Sequence, residues 1–179
     1  MTCVIAVTQS DGTVVMGADH AFTSVGGDVM LGGYGHKIRI AKNFVVGYCG
    51  NAYTGTVILN HLEHKDLLTL DDEFSVIEIN DLLNEAYEQN NLSKVGNVNH
   101  YLIVYNNKIF HVWPEIFCQM ANDDVDTIGS DPSLFKALYK INMSKTQCVE
   151  TSVRQTIQDA SIVCKSVKSF SAGPTLIKF

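Results

Sequence analysis

Two β-branched runs near the start of the chain decide its fold: TCVIAVT at residues 2–8 and TVVMGA at residues 13–18. The residues between them, Ser10-Asp11-Gly12, are typical of a tight turn, so the two runs predict a hairpin. The same pattern returns along the chain and predicts strands at residues 37–41, 44–49, 101–105, 109–113 and 175–179. Because most positions of the early runs are apolar, we expect an antiparallel sheet whose first strands are buried.

The spacing of apolar residues becomes helical between the two groups of strands. Apolar stripes at residues 57–62 and 76–86 predict two helices. Two more helices are predicted after the later strands, one opening at Ser130-Asp131-Pro132 and one over residues 151–164. Strands, two helices, strands and two helices predict an α+β protein in which helices cover sheets.

The composition predicts one globular domain over residues 1–179. Hydrophobic residues make up 46% of the chain, charged residues make up 18%, and the formal net charge is −6. This acidic balance, without a Lys/Arg run, argues against a nucleic-acid partner. No apolar stretch approaches the ~18–20 residues of a membrane span, and no export signal precedes the first strand. The five cysteines are scattered without CxxC spacing, so we expect small buried thiols in a reducing compartment, the cytoplasm.

Thr2 carries the strongest functional signal. Initiator methionine is usually removed when the next residue is small, and removal of Met1 gives Thr2 a free α-amine beside its own Oγ1. An α-amine has an ordinary pKa of about 7.7–8.0, so it is a base built next to a hydroxyl nucleophile. Many ordinary proteins also begin Met-Thr, so Thr2 by itself does not indicate catalysis.

Three further positions complete a possible catalytic set. Asp19 ends the second predicted strand, Lys37 begins a later one, and Gly50 follows residues 44–49 just before a helix. A hydroxyl nucleophile requires a base, a cation that lowers its proton affinity, a carboxylate that holds the cation and an N–H for the oxyanion. The same residues also have plain interpretations. In these, Asp19 and Lys37 form a surface ion pair, and Gly50 only makes a turn between a strand and a helix.

Six short motifs in this order resemble the proteasome β-subunit family, and within it the HslV type of bacterial peptidase that pairs with a ring ATPase. The family opens with Thr and then shows G-x-D, a K-K-hydrophobic strand, an A-G-G turn, a G-S-G helix start and an Asp in its last helix. The corresponding positions here are Thr2, Gly17-Ala18-Asp19, His36-Lys37-Ile38, Cys49-Gly50-Asn51, Ile128-Gly129-Ser130 and Gln158-Asp159-Ala160-Ser161. The resemblance implies a four-layer αββα sandwich of two antiparallel sheets, the fold of N-terminal-nucleophile hydrolases.

The resemblance also implies roles for the matched residues. Thr2 is the nucleophile, Lys37 lowers its proton affinity, Asp19 orients Lys37, and the Gly50 N–H stabilises the oxyanion. It implies in addition that Ser130 and Asp159 hold the α-amine and its water, that the backbone at Thr23 adds an extended peptide, and that Tyr48 lines a hydrophobic S1 pocket. Ser130 is equally explained as a helix N-cap, and Asp159 as a surface carboxylate.

Some positions depart from the family pattern. His36 replaces its first lysine, Asn51 its second glycine and Asp131 the last residue of G-S-G. His20 follows Asp19 where the family has a small residue, and the loop before Lys37 is about two residues longer by this comparison. None of these changes removes one of the catalytic roles.

The expected function is therefore that of an N-terminal threonine endopeptidase that cleaves unfolded polypeptides inside homo-oligomeric stacked rings fed by an AAA+ ATPase unfoldase. Two alternatives stay open: a catalytically silent ring scaffold that retains Met1, and an amidase acting on a small metabolite. No cofactor is expected. His61 and His64 have the i, i+3 spacing of a metal pair but lack a third ligand in the sequence pattern, so no metal is expected either.

Overall fold

Strands and helices fill most of the chain. A computed structural model describes residues 2–23, 29–31, 37–163 and 175–179, with only the backbone described for 21–23 and 29–31. The described strands are β1 Cys3–Thr8, β2 Val14–Ala18, β3 Ala21–Thr23, β4 Val29–Leu31, β5 Ile38–Ile40, β6 Val45–Cys49, β7 His100–Tyr105, β8 Lys108–Trp113, β9 Phe117–Met120, β10 Val125–Gly129 and β11 Thr175–Lys178. The described helices are α1 Ala52–Leu62, α2 Asp72–Gln89, α3 Pro132–Thr146 and α4 Val149–Val163.

The strands form two main antiparallel sheets, as predicted. One has the order β10-β1-β2-β11, and the other has the order β5-β6-β7-β8-β9. β3 and β4 pair separately as a short ribbon. The sequence pattern missed β9 and β10, because neither has a sustained β-branched or alternating run. β9 reads FCQM, and β10 follows directly after Asn122-Asp123-Asp124.

Alternation along the strands separates three apolar layers. On β1, Cys3 and Ile5 pack towards α3 and α4, whereas Val4 and Ala6 point between the two sheets. On β6, Val46 packs beneath α1 and α2, whereas Val45 points between the sheets. Helices therefore cover the outer face of each sheet, which confirms the predicted four-layer αββα sandwich.

Local signals in the sequence set several element boundaries. Asn106 and Asn107, between β7 and β8, have φ angles of +47° and +58°, the left-handed values that a type I′ turn requires. α3 begins with Pro132 at its first turn, and its N-cap is Asp131, whose carboxylate accepts a hydrogen bond from Leu134 N at 3.0 Å. α4 starts at Val149, two residues before the predicted start, and Cys164 at its predicted end lies outside the described residues.

The cysteines are not all buried, contrary to the prediction. Cys3, Cys49 and Cys118 are buried, but Cys148 is exposed. It lies immediately before α4, in the short connection from α3, where the chain is at the surface. In the part of the chain that the structure describes, no helix has both the length and the apolar character to cross a membrane.

A close contact fixes α1 against the second sheet. Tyr48 on β6 is buried, and its ring occupies the space next to Gly55 of α1. A Cβ atom at position 55 would overlap that ring. The tyrosine hydroxyl donates to Ala52 O at 3.3 Å and lies 3.3 Å from Thr56 Oγ1, so the side chain is held along the first turns of the helix.

We therefore expect Gly55→Ala to destabilise the fold although alanine is the better helix former. Overpacking a filled core costs about 1–3 kcal/mol, against about 0.8–1.0 kcal/mol gained in helix propensity. The measurement is the free energy of unfolding in urea, with Asn60→Ala on the exposed side of α1 as the control. A Gly55→Ala protein more stable than the control would contradict this packing.

Candidate active site

Thr2 lies where the two sheets meet. It immediately precedes β1, and strand alternation places its side chain on the same face as Val4 and Ala6, between the sheets. Only 8% of Thr2 is exposed to solvent. The facing sheet begins with β5, so the residue just before β5, Lys37, is in position to reach the threonine.

Three of the predicted residues meet at this point. Lys37 Nζ donates to Thr2 Oγ1 at 3.0 Å and to Asp19 Oδ1 at 2.9 Å. Asp19 Oδ1 also accepts from Cys3 N at 2.8 Å. Lys37 and Asp19 are 2% and 1% exposed, so they form a buried ion pair and not the surface pair that was the plain alternative.

Burial makes the charged form of Lys37 less favourable than it is in water. Burial lowers the pKa of Lys37 below its ordinary value, and the opposing attraction of Asp19 offsets only part of that effect. A hydrogen-bonding ammonium beside a hydroxyl also lowers the proton affinity of the hydroxyl oxygen. The arrangement thus polarises Thr2 Oγ1 towards acting as a nucleophile.

The backbone of Thr2 is held by the turn between β10 and α3. Ser130 N donates to Thr2 O at 3.1 Å. Gly129 has φ +136°, and a Cβ atom there would overlap Thr2 O, so glycine is required for this close approach. On the other side Asp19 N donates to Cys3 O at 3.1 Å. The two bonds hold residues 2 and 3 against the segments that directly follow β10 and β2.

An open cavity of about 310 Å³ adjoins the threonine. The described residues that line it are Thr2, Cys49, Gly50, Val98, His100, Gly129 and Ser130. Gly50 has φ +124°, and a Cβ atom there would lie 2.7 Å from Val98 O. The structure therefore brings Gly50 and Ser130 to the same cavity as Thr2.

Asn99 braces the turn that contains Gly50. Its Oδ1 accepts from Asn51 N at 2.6 Å, and its Nδ2 donates to Asn51 O at 3.1 Å. Asn99 is fully buried. The amide N–H of Asn51 is thus used within the protein, and the role of the Gly50 N–H as the oxyanion donor stays a prediction.

Ser130 does not cap α3, contrary to one of its two predicted interpretations. The N-cap is Asp131, one residue later, because Pro132 occupies the first helical position. Ser130 is consequently left at the rim of the cavity beside Thr2. Its predicted role near the α-amine stays a prediction.

Asp159 has partners other than the threonine. It lies on α4, where its carboxylate accepts from Asn142 Nδ2 at 2.9 Å and from Gln155 Nε2 at 2.8 Å. Among the described residues, none of these bonds connects it to the Thr2 cavity. Its predicted contact with the α-amine stays a prediction.

Tyr48 and Thr23 were predicted to bind substrate. The side chain of Tyr48 packs with α1 and the outer face of its sheet, and its neighbour Cys49 is the residue of β6 that lines the described cavity. Strand alternation causes this difference, because consecutive residues point to opposite faces. The backbone of Thr23 lies in the β3–β4 ribbon and pairs with Val29.

His100 and Cys49 are cavity residues that the sequence interpretation missed. They lie opposite each other in the pairing of β6 with β7, so their side chains share one face of the sheet. Burial raises the pKa of the Cys49 thiol to about 11. The signal available in the sequence was a histidine at the start of a strand otherwise made of apolar and aromatic residues.

His61 at the end of α1 and His64 just after it do not form a metal centre with described residues. His61 Nδ1 lies 3.2 Å from Asn90 Nδ2, and His64 is exposed. In the described ranges no group of three His, Cys, Asp or Glu side chains is placed to hold a metal ion.

Solved structures share this fold over nearly the whole chain. Eukaryotic HslV from Trypanosoma brucei is 17% identical, with a TM-score of 0.73 over 98% of each chain. BPH from Thiobacillus denitrificans, in complex with epoxomicin, is 15% identical, with a TM-score of 0.76 over 98% of this chain and 97% of that one. Anbu, described as an ancestral β-subunit, from Yersinia bercovieri is 12% identical, with a TM-score of 0.68 over 99% and 81%.

These likenesses confirm the predicted fold. The chain has the α+β architecture of the N-terminal-nucleophile hydrolases, in two antiparallel sheets covered by helices. More particularly, it has the proteasome-like form of that fold seen in HslV and Anbu. No protein-family model matches the sequence, and no curated protein sequence matches it.

The ion pair at Thr2 predicts a large energetic coupling between its two members. Removing one partner of a buried pair leaves an uncompensated charge and costs about 3–5 kcal/mol. We expect that cost for Lys37→Met and for Asp19→Asn, with the double variant much less destabilised than the sum of the two.

A double-mutant cycle in urea measures this coupling, and the chain offers a matched control. Lys42 and Asp66 form an exposed pair at 2.8 Å, so the same substitutions there should show a coupling of about 1 kcal/mol or less. Equal couplings in the two cycles would show that Lys37 and Asp19 are not paired in the folded protein.

Proposed function

We propose that this protein is an N-terminal threonine endopeptidase in which Thr2, exposed by removal of Met1, is the nucleophile. The observation that supports it is the Lys37 ammonium held between Thr2 Oγ1 and Asp19, at 3.0 and 2.9 Å. A lysine shielded from water in this position has a clear chemical use beside a hydroxyl. An ion pair with only a structural role would not require a threonine hydroxyl beside an open cavity.

Acylation begins with proton transfer within Thr2. The α-amine takes the Oγ1 proton through a water molecule as the oxygen forms a bond to the peptide carbonyl carbon. Negative charge develops on the carbonyl oxygen, which the Gly50 N–H stabilises. The carbon–nitrogen bond then breaks, the leaving amine takes the proton, and the amino-terminal part of the substrate remains as an ester on Thr2.

The other predicted residues have supporting roles in this proposal. Ser130, at the rim of the cavity, and Asp159 orient the α-amine and its water. The backbone at Thr23 pairs with an extended substrate strand. Tyr48 supports the floor of the S1 pocket from the core, and a hydrophobic P1 residue is the preferred substrate.

The assembly and cellular setting follow from the same proposal. We infer a cytoplasmic homo-oligomer of stacked rings, with one domain over residues 1–179, that receives unfolded polypeptides from an AAA+ unfoldase. A neighbour of the same fold supports the association of copies but not the closure of a ring: Anbu from Pseudomonas aeruginosa, 13% identical with a TM-score of 0.66, is described as a helical assembly of the Anbu complex. Enclosure keeps such a site away from folded proteins.

The decisive test combines intact mass with active-site labelling. A chain that has lost Met1 should form a one-to-one epoxomicin adduct on Thr2 and cleave a fluorogenic peptide with a hydrophobic P1 residue. Thr2→Ala should abolish both, and Lys37→Ala should lower turnover by about 10²–10⁴-fold, the range of general acid–base contributions. Lys42→Ala, an exposed lysine, is the matched control.

Retention of Met1 together with ring formation would support the silent scaffold. Absence of both adduct and turnover from a chain that demonstrably begins at Thr2 would refute the peptidase. A monomer that hydrolyses small amides but not peptides would identify the amidase alternative.

A further inference from the structure

One buried side chain, that of Asn99, holds the turn between β6 and α1. Asn99 immediately precedes β7, and the pairing of Cys49 with His100 places it opposite Gly50. Its Oδ1 accepts from Asn51 N at 2.6 Å, and its Nδ2 donates to Asn51 O at 3.1 Å. A single carboxamide thus binds both polar backbone atoms of one residue of the turn.

The two bonds require opposite chemical character in one side chain. The N–H of Asn51 needs an acceptor and its carbonyl needs a donor, and a carboxamide offers one of each. The same requirement fixes the orientation of the amide, because the flipped form would direct an NH₂ group at the Asn51 N–H. An ionised carboxylate or an apolar side chain of similar size would leave at least one backbone atom without its bond.

Gly50 lies directly against the same side chain. It has φ +124°, and a Cβ atom there would lie 2.5 Å from Asn99 Oδ1 and 2.7 Å from Val98 O. The peptide that joins Gly50 to Asn51 is therefore fixed by this contact and by the bond at Asn51 N. Among the described residues no hydrogen bond uses the Gly50 N–H, and Gly50 lines the cavity of Thr2.

The other side of the turn is anchored to α1. Asn51 is the N-cap of that helix, and its Oδ1 accepts from Thr54 N at 3.0 Å. Asn51 is the position at which the proteasome β-subunit family has its second glycine, which has no side chain to cap a helix. In this chain the helix holds the side chain of Asn51, and Asn99 holds its backbone.

Asn99 is itself held from the core of its sheet. Its backbone N donates to Asn97 Oδ1 at 3.0 Å, and its Nδ2 lies 3.4 Å from the hydroxyl of Tyr101. That hydroxyl is 2.9 Å from the hydroxyl of Tyr87 on α2, and both tyrosines are fully buried. These contacts hold the carboxamide in one place before any substrate binds.

We propose that Asn99 is a positioning residue that, by holding the backbone of Asn51, sets the direction of the Gly50 N–H towards the carbonyl oxygen of the substrate. This assignment rests on the proposed peptidase function, in which the Gly50 N–H stabilises the oxyanion. Asn99 acts through the backbone of the turn and not on the substrate. A donor whose direction is fixed before the reaction stabilises the oxyanion without any cost of reorganisation.

A second asparagine makes the same pair of bonds elsewhere and provides a matched control. Asn43 Oδ1 accepts from Leu67 N at 3.0 Å, and Asn43 Nδ2 donates to Leu67 O at 2.5 Å. Asn43 precedes β6 and Gly50 follows it, so the two asparagines act at opposite ends of that strand. Asn43→Ala therefore removes two bonds of the same kind without touching the turn at Gly50.

The test compares Asn99→Ala with Asn43→Ala in the assembled protein, both shown to be folded by urea unfolding. In Asn99→Ala we expect kcat for a peptide substrate to fall about 10–10²-fold, with KM within about twofold of wild type, because a misdirected donor weakens the transition state and not substrate binding. Asn43→Ala should leave kcat and KM unchanged.

A peptide boronate provides a second readout that a merely structural role would not change. It forms a tetrahedral adduct with a hydroxyl nucleophile, and one of its boron-bound oxygens occupies the position of the oxyanion. Its affinity should fall in Asn99→Ala by the same factor as kcat/KM, since both report on stabilisation of the tetrahedral state. The affinity of Asn43→Ala should equal that of wild type.

Two further measurements keep the test decisive if Asn99→Ala does not fold. Asn99→Asp keeps the size of the side chain and an acceptor for Asn51 N, but its ionised form loses the donor to Asn51 O, so kcat should fall in the same direction. Hydrogen exchange followed by mass spectrometry should show a slowly exchanging Asn51 amide in wild type and in Asn43→Ala. Fast exchange of that amide in wild type would overturn the clamp itself.

The activity results separate failure of this inference from failure of the proposed function. An active wild type whose folded Asn99 variants keep its kcat and its boronate affinity would overturn the role of Asn99 alone. A wild-type chain that begins at Thr2 but shows neither turnover nor an epoxomicin adduct would overturn the peptidase proposal, and the positioning role with it.

Discussion

A single buried ammonium group sets the main constraint on this structure. Lys37 Nζ donates to Thr2, just before β1, and to Asp19, just after β2, and all three side chains are nearly shielded from water. Burial of a charge is costly unless its partners are in place, so the two sheets must meet in one register at this edge. Part of the free energy gained by packing the core therefore offsets the cost of burying the Lys37 ammonium.

Close backbone approaches make that register possible. Gly129 lets the β10–α3 turn contact the carbonyl of Thr2, and Gly50 lets the end of β6 pack against residues 98–99. At each position the absence of a Cβ atom leaves room for a close approach to a backbone N–H. Beside Gly129 the group that approaches is the carbonyl of Thr2, and at Gly50 it would be the oxyanion of the proposed reaction. The same two positions border the cavity, so the packing requirement and the chemical requirement coincide.

Short-range signals predicted much of the fold and part of the site. The β-branched runs predicted β1, β2 and the centre of the second sheet, and the motif order predicted that Thr2, Asp19 and Lys37 would meet. Tyr48 packs against α1, and its motif does not specify the parity of the strand, so its predicted place in an S1 pocket stays a prediction. The His100–His111–Asp126 cluster depends on pairing between β7, β8 and β10, and such long-range contacts leave no local pattern.

The layer between the sheets contains two polar clusters that differ in charge. At Thr2 a cation faces the nucleophile, which suits generation and stabilisation of negative charge on oxygen. The second cluster runs from Asp126 of one sheet through His111 to His100 of the other, and His100 is among the residues that line the same cavity. Each cluster joins a residue of one sheet to a residue of the other, so polar contacts at two points fix how the sheets face each other beside the cavity.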